Sequence, residues 1–231
     1  MNPTATVWTM QVGTPSAAAL ARWHAVLDSA ETTQATRFRA EKDRHIYIAA
    51  HALLRALLEN IGGQPAASWQ FSKTEKGKPF IAAPPELAGL QFSLSHTHGL
   101  VACAAARGFS VGIDTESLDR KTTQTDLAES VLTDSELAIV NAAPLSQRQE
   151  TFLRLWTLRE SYVKATGQGI NFPREDFSFS LSPLAIHLKT EADADWKIFS
   201  WDEGRHIVSL AAHCRHPIAL HKQMLNEGDL L

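Results

Sequence analysis

The sequence predicts an α+β protein made of two similar halves. Segments with helical apolar spacing alternate with short apolar strands along the 231-residue chain. A weak internal repeat supports the duplication. "LVACAAARGFSV" from residue 100 aligns without gaps on "IVSLAAHCRHPI" from residue 207, an offset of 107 positions. We expect a pseudo-dimer with halves 1–112 and 113–231 and a ligand in the cleft between them.

The N-terminal half begins with an apolar stretch that predicts a strand over residues 6–12. Residues 16–28 and 31–61 are predicted helices. The second has apolar positions near the 3.6-residue period, and Gly62-Gly63 ends it. The segment from residue 69 to 116 predicts a series of short strands separated by glycine turns.

The C-terminal half begins with a polar stretch, residues 117–129, which predicts a mobile connector. Thr133 and Glu136 form a capping-box pattern, which predicts that a helix begins there. A longer helix is predicted at about 146–166, and strands are expected from 176 to about 220.

The composition is that of a globular protein. The net charge of −3 gives no general attraction to nucleic acid or to a membrane surface. No apolar run reaches the ~18 residues of a membrane span, and the N-terminus lacks a signal-peptide pattern. Cys103 and Cys214 lie in apolar runs without metal-binding spacing, which favours buried free thiols. We therefore expect a cytoplasmic protein.

Two acidic residues, Asp114 and Glu116, lie at the end of an apolar strand. Their spacing places both side chains on the same side of that strand. Neighbouring carboxylates repel each other, and a hard divalent cation such as Mg²⁺ would compensate. The alternative is an ordinary solvated strand end.

A third acid lies in the predicted helix "FLRLWTLRESYVKATGQG". Helical geometry places Trp156, Glu160 and Lys164 on one face. Glu160 and Lys164 could form an i,i+4 ion pair, and Trp156 could be a core residue. The other interpretation is that this face belongs to a ligand site.

The stretch "FSLSHTHG" contains Ser95 and His96 directly after an apolar strand. A hydroxyl and an imidazole can donate to a phosphate. Hydrolysis by a serine nucleophile would need the Gly-x-Ser-x-Gly elbow, which the sequence lacks. A zinc site at His96 and His98 would need further spaced ligands.

Basic residues occur at two other noteworthy positions. Lys73, Lys76 and Lys78 surround Gly77, which predicts either an anion site or a solvated hairpin tip. Arg55 lies among leucines, where an unpaired charge is costly, so a phosphate or a carboxylate must be near it.

Together these motifs resemble the 4′-phosphopantetheinyl transferases of the broad-specificity, Sfp-like kind. The family's Gly-Lys-Pro turn, Ser-His strand, Gly-(Ile/Val)-Asp-x-Glu strand end and Trp-x-x-(Lys/Arg)-Glu helix occur in order. They stand here as "KGKPFI", "FSLSHTHG", "VGIDTE" and "WTLRESYVK". Each motif alone is weak, but the ordered set is specific and covers about residues 30–180.

The resemblance implies a monomeric pseudo-dimer that binds coenzyme A in its cleft and transfers phosphopantetheine to an apo acyl or peptidyl carrier protein. It implies that Glu160 and Lys164 are catalytic and that Mg²⁺, or Mn²⁺, is held by Asp114, Glu116 and Glu160. The residues that it suggests for binding coenzyme A are Arg44, Arg55, Lys78, Ser95, His96 and Lys164.

The chain departs from the family pattern at several positions. Relatives often carry lysines ahead of the first long helix, whereas "SAETTQAT" has none, so Arg37, Arg39 or Arg44 is expected to replace them. Arg159 stands before Glu160 in place of the commoner lysine. The connector 117–129 and the helix at 133–142 are possible docking surfaces for the carrier. Their apolar residues could equally pack inward; they are Leu132, Leu137, Ile139 and Val140.

Overall fold

The computed structural model describes residues 2–120, 124–169, 173–190 and 195–231. The strands are β1 (Thr4–Gln11), β2 (Gln70–Lys73), β3 (Pro79–Ala83), β4 (Leu90–Thr97), β5 (Leu100–Arg107), β6 (Ser110–Ser117), β7 (Phe177–Leu181), β8 (Leu184–Leu188), β9 (Trp196–Glu203), β10 (His206–His213) and β11 (Ala219–Leu225). The helices are α1 (Ala17–Ala25), α2 (Ser29–Ala35), α3 (Glu41–Gly62), α4 (Gln124–Val131), α5 (Asp134–Ala142) and α6 (Arg148–Thr166). The predicted α+β class is confirmed.

The strands form two larger sheets and two hairpins. The first sheet has the order β11-β1-β5-β4, the second has the order β6-β10-β9, and β2-β3 and β7-β8 form the hairpins. The predicted boundary at residues 112 and 113 falls inside β6. In addition, β11 of the C-terminal half pairs in parallel with β1, so one sheet draws on both halves.

Strand pairing reveals the internal duplication more sharply than the sequence does. The pair Ala5–Ala106 of β1 and β5 becomes the pair Val111–Ala212 of β6 and β10 when 106 is added to each number. The same shift maps the pairing of β4 with β5 onto that of β9 with β10. The predicted offset of 107 is therefore wrong by one residue for these strands. Alanine-rich strands align almost as well out of register, although a shift of one exchanges their two faces.

The two sheets pack face to face, and each long helix covers an outer face. Apolar residues of β1, β5, β6 and β10 form the middle cluster between the sheets. The cluster around α3 covers the first sheet, and the cluster around α6 covers the second. Because β5 and β10 are covered on both faces, they are buried along nearly their whole length, which explains their continuous apolar sequences.

The helical segments differ from the prediction in two places. The helix expected over 31–61 is two helices, because α2 begins at the capping box of Asp28 and Glu31 and ends before residue 36. The connector expected over 117–129 includes most of α4, while residues 121–123 lie outside the described residues. The predicted capping box of Thr133 and Glu136 is confirmed at the start of α5.

Candidate functional site

The candidate site lies where β4 of the first sheet meets β6 of the second. Two serine hydroxyls of β4 accept hydrogen bonds from the backbone of β6. Ile113 N donates to Ser93 Oγ at 3.1 Å, and Thr115 N donates to Ser95 Oγ at 3.3 Å. These bonds fix the end of β6, and with it Asp114 and Glu116, against β4.

A cavity of about 300 Å³ opens at this junction. It combines side chains from β4, β6 and α6, which are far apart in the sequence. The lining residues are Leu94, Ser95, His96, Asp114, Glu116, Trp156, Glu160 and Lys164. The structure therefore brings together the three predicted acids, Lys164 and the Ser-His pair.

Asp114 accepts hydrogen bonds from two side chains that line the cavity. Lys164 Nζ donates to Asp114 Oδ1 at 2.7 Å and to the carbonyl of Ile113 at 3.2 Å. Ser95 Oγ donates to the same carboxylate oxygen at 2.8 Å. Lys164 thus pairs with Asp114 across the α6–β6 contact, whereas an ion pair with Glu160 was one sequence-based alternative.

Glu116 is held by two donors. Arg120 donates to its Oε1, and Thr97 Oγ1 donates to its Oε2 at 3.4 Å. Burial raises the pKa of Glu116, and the charge of Asp114 raises it further against the opposing effect of Arg120.

Glu160 accepts no hydrogen bond from any residue that the structure describes. Burial raises the pKa of this carboxyl, and the charge of Asp114 adds to the effect. The positive charges of Lys164 and Arg159 oppose the shift. Glu160 therefore lines the cavity as a carboxyl group of raised pKa without a hydrogen-bond donor among the described residues.

The three carboxylates have the donor chemistry that a hard divalent cation requires. Their burial and mutual repulsion raise the pKa values of two of them, which a cation would reverse. In the described part of the chain, however, no three acidic, histidine or cysteine side chains are already arranged around one point. Asp114 and Glu116 are instead paired with Lys164 and Arg120. The residues fit a metal ion by type and location. Lys164 and Arg120 must move away from the carboxylates before such an ion binds.

His96 lies at the border between this cavity and a second one of about 380 Å³. Its ring is solvent-accessible, yet the surrounding protein displaces enough water to lower its pKa, and Lys164 contributes to the shift. Arg44 lies on the first turn of α3, with its Nη2 atom 3.7 Å from Glu41 Oε1 and its side chain 40% exposed. It lines neither of these two cavities.

Lys78, which was expected to bind a phosphate, is bonded within the protein to the end of α6. Its Nζ donates to the backbone carbonyl of Ala165 at 2.7 Å, at the end of α6, and burial lowers its pKa. A positive charge there complements the helix dipole and an otherwise unpaired carbonyl. The turn between β2 and β3 is thereby attached to the helix that carries Glu160.

Arg55, suggested as a residue that binds coenzyme A, contacts internal acids in the structure. The side chain is fully buried, and its guanidinium donates to Glu31, Asp28 and the carbonyls of Ala66 and Trp69. The prediction that a buried arginine needs an anion is confirmed, but its anions are internal carboxylates. No donor of Arg55 is exposed to a ligand.

A further cavity of about 880 Å³ lies between α2, α3 and the β2–β3 hairpin. It shares Leu94 with the site cavity. Arg37 lines it, whereas Arg39 and Arg44 do not, so Arg37 is best placed of the three arginines considered as replacements for the missing lysines. Lys73 lines it as well.

Arg120 is a site residue that the sequence analysis missed. It follows Glu116 by four positions, and that spacing after an acid was the available signal. The surrounding polar segment made it look like part of a solvated connector.

The apolar residues considered for carrier docking pack inward. Leu132 and Val140 are buried, and Leu137 and Ile139 pack against the cluster around α6. The interpretation that they are core residues is therefore correct.

The two cysteines are buried and free, as predicted. Among the described helices, none combines the length and apolar character needed to cross a bilayer.

Gly112 sets the distance between β6 and α6. A Cβ atom at this position would lie 2.0 Å from the carbonyl oxygen of Ser161 and 2.4 Å from the nitrogen of Ala165. Both are backbone atoms of α6 and cannot move independently of the helix.

We expect Gly112→Ala to lower the free energy of unfolding by about 1–3 kcal/mol, the usual cost of overpacking. A shift of α6 away from β6 would also move Glu160 and Lys164 away from Asp114. Urea denaturation measures the loss of stability. Gly89→Ala is the control, since a Cβ there meets nothing within 4 Å. Equal stability of the two variants would contradict the packing argument.

Comparison with known proteins gives a consistent result along most of the chain. The family model described as "4'-phosphopantetheinyl transferase, N-terminal" matches residues 12–108. The model described as "4'-phosphopantetheinyl transferase superfamily" matches residues 110–211. The two matches meet next to β6, between the duplicated sheets.

Several characterised relatives are similar to this chain. The 4'-phosphopantetheinyl transferase HetI of Nostoc sp. (strain PCC 7120) is 33% identical over 69% of this chain and 67% of its own length. The 4'-phosphopantetheinyl transferase Sfp of Bacillus subtilis (strain 168) is 27% identical over 78% of this chain and 80% of its own. A phosphopantetheinyl transferase of Thraustochytrium sp. is 31% identical over 75% of this chain and 65% of its own length. The chain therefore belongs to the 4′-phosphopantetheinyl transferase superfamily.

Proposed function

We propose that this protein transfers the 4′-phosphopantetheine arm of coenzyme A to a serine of an apo acyl or peptidyl carrier protein and releases 3′,5′-ADP. The observation that carries the proposal is the single cavity lined by Asp114, Glu116, Glu160 and Lys164. Family membership supports the same activity and the use of coenzyme A.

The reaction would require a divalent metal ion, Mg²⁺ or Mn²⁺, held by Asp114, Glu116 and Glu160. When bound, such an ion would neutralise charge on the diphosphate of coenzyme A. The supporting observation is the buried, mutually repelling carboxylates of the cavity. Lys164 and Arg120 balance two of them in the protein as it stands.

Glu160 would act as the general base. It has free oxygens among the described residues and a raised pKa, so it is better suited to accept a proton than an ordinary carboxylate. It would take the proton of the carrier serine as the serine oxygen bonds to the phosphorus next to pantetheine. The bond from that phosphorus to the bridging oxygen breaks, and 3′,5′-ADP leaves with the electron pair.

Lys164 would stabilise the charge that develops on the phosphates. Its ammonium group has three donors, and the contacts to Asp114 and Ile113 occupy two of them. Ser95 and His96 border the same cavity and would bind phosphate groups of coenzyme A. Lys78 and Arg44 do not line this cavity.

Two other functions use the same residues. A non-catalytic coenzyme A-binding module would bind the ligand without transferring it. A metal-dependent phosphohydrolase would release its product into water without a carrier. The family matches over both halves favour transfer.

The test is incubation with coenzyme A, Mg²⁺ and an apo carrier protein, followed by mass spectrometry of the intact carrier. We expect a gain of one phosphopantetheine, absent when the acceptor serine is replaced by alanine. Asp114→Ala should lower the rate at least ~100-fold, the scale of a lost metal or acid–base group.

The outcomes separate the alternatives. Coenzyme A that binds without modifying any carrier would indicate the binding module. Coenzyme A that is cleaved without a carrier would indicate the hydrolase. A panel of apo carriers from fatty-acid, polyketide and nonribosomal peptide synthesis would identify the preferred class.

A further inference from the structure

We propose that Arg120 is a built-in competitor of the metal ion: its guanidinium is paired with Glu116 in this structure and leaves when a divalent cation binds. The inference rests on the proposed function, because it assumes that Glu116 is a metal ligand. It assigns to Arg120 a positioning role, which keeps Glu116 at the cavity and reduces its affinity for metal.

Both oxygens of Glu116 are engaged. Arg120 donates to one, and Thr97 Oγ1 donates to the other at 3.4 Å. The Glu116 side chain is only 11% exposed, so water cannot readily replace these donors. A buried carboxylate without any cation would be costly, and Arg120 provides the compensating charge.

The Arg120 side chain is held weakly enough to be displaced. It is 40% exposed, and among the described residues Glu116 is the acceptor recorded for its guanidinium. Arg55 and Arg159 differ in both respects. They are 0% and 7% exposed, and each donates to several acceptors. The structural arginines of this fold are thus enclosed, whereas Arg120 lies at the surface.

The backbone carbonyls of Leu118 and Arg120 are bonded to α6, so release of Glu116 requires movement of the Arg120 side chain only. Gln149 Nε2 of α6 donates to the carbonyls of Arg120 at 2.6 Å and Leu118 at 3.1 Å. The cavity of about 380 Å³ beside the site is lined by Arg120, His98 and Asp119. A guanidinium released from Glu116 can enter this space without movement of the Arg120 backbone.

The experiment measures Mn²⁺ binding to the full chain in the absence of coenzyme A, by the loss of the free Mn²⁺ signal in electron paramagnetic resonance. Arg120→Gln removes the competing charge, and we expect the dissociation constant for Mn²⁺ to fall at least about threefold. Arg120→Lys keeps the charge without the planar fork and should give an intermediate value.

Arg205→Gln is the matched control. Arg205 pairs with Asp119 at 2.5 Å, close to the same loop, and is 70% exposed. Its replacement removes the same charge without freeing Glu116, so its Mn²⁺ affinity should stay close to that of the unmodified protein. Thermal unfolding verifies that all four proteins are folded.

The remaining outcomes overturn the proposal. Equal tightening by Arg120→Gln and Arg205→Gln would indicate a general charge effect. Unchanged or weaker Mn²⁺ binding by Arg120→Gln would show that the arginine does not compete. Absence of Mn²⁺ binding by all four proteins, with and without coenzyme A, would instead remove the metal from the proposed function. In the first two cases phosphopantetheine transfer to a carrier would persist.

Discussion

Replacing Glu160 by glutamine should lower the rate of phosphopantetheine transfer at least ~100-fold, the scale for loss of a general base. Glutamine keeps the size and shape of the side chain but cannot accept the serine proton. The same change removes one negative oxygen from the cluster with Asp114 and Glu116, which would weaken any cation held there. Single-turnover transfer to an apo carrier, followed by intact-protein mass spectrometry, measures the effect.

Glu150→Gln is the matched control, because Glu150 lies on the same helix and pairs with Arg154 at 3.1 Å at the exposed end of α6. We expect its transfer rate to change less than about twofold, as is usual for surface substitutions. Coenzyme A binding, measured separately by calorimetry, shows whether Glu160→Gln affects chemistry or binding. A near-normal transfer rate for Glu160→Gln would remove Glu160 from the catalytic role.

The residues of the candidate cavity could be predicted because their arrangement is largely local. Asp114 and Glu116 share a side of β6 through the two-residue strand period. Glu160 and Lys164 share a face of α6 through the helical period. The sequence also indicated that the two pairs act together, because the motifs occur in the family's order. The structure adds that α6 packs directly on β6, through the missing side chain of Gly112.

The partners of long basic side chains could not be predicted. Arg55 and Lys78 each required an anion or a carbonyl, and the sequence offered no way to choose among distant acceptors. Lys78 finds its acceptor at Ala165, 87 positions away. A phosphate from coenzyme A was one expectation for both, and the folded chain itself supplies acceptors for each.

The duplication was visible in the sequence, but its register was not. Small apolar residues fill β5 and β10 because both faces of these strands are buried. Alignments of the repeat that differ by one residue therefore match almost equally well.

The polar segment after β6 illustrates a different limit. Its few apolar residues gave no clear helical period, yet α4 forms there because Ala128 packs into the cluster around α6.

A buried network of the same form occurs in each half, and it explains two basic positions of the family pattern. In the first half Arg55 of α3 pairs with Glu31, the capping-box residue of α2. In the second half Arg159 of α6 pairs with Glu136, the capping-box residue of α5, at 2.8 Å. Each arginine joins a long helix to the start of the helix before it.

We expect Arg55→Met to lower the free energy of unfolding by about 3–5 kcal/mol, the cost of breaking one side of a buried ion pair. Methionine fills much of the volume but removes the guanidinium donors from the buried Glu31 carboxylate, from Asp28 and from two backbone carbonyls. Burial raises the pKa of Glu31, but His51, the backbone N–H of Asp28 and the charge of Arg55 together bring it below its usual range. Urea denaturation monitored by tryptophan fluorescence measures the loss.

Arg37→Met is the control for this variant, since Arg37 is exposed and donates only to Gln34 among the described residues, at 3.2 Å. Its unfolding free energy should change by less than about 0.5 kcal/mol. Saturating coenzyme A should stabilise the Arg55→Met variant as much as the unmodified protein, because a ligand stabilises only through the contacts it makes with the folded state. If Arg55→Met were stable but no longer stabilised by coenzyme A, Arg55 would be a ligand residue after all. The internal network would then be a resting arrangement that opens on binding.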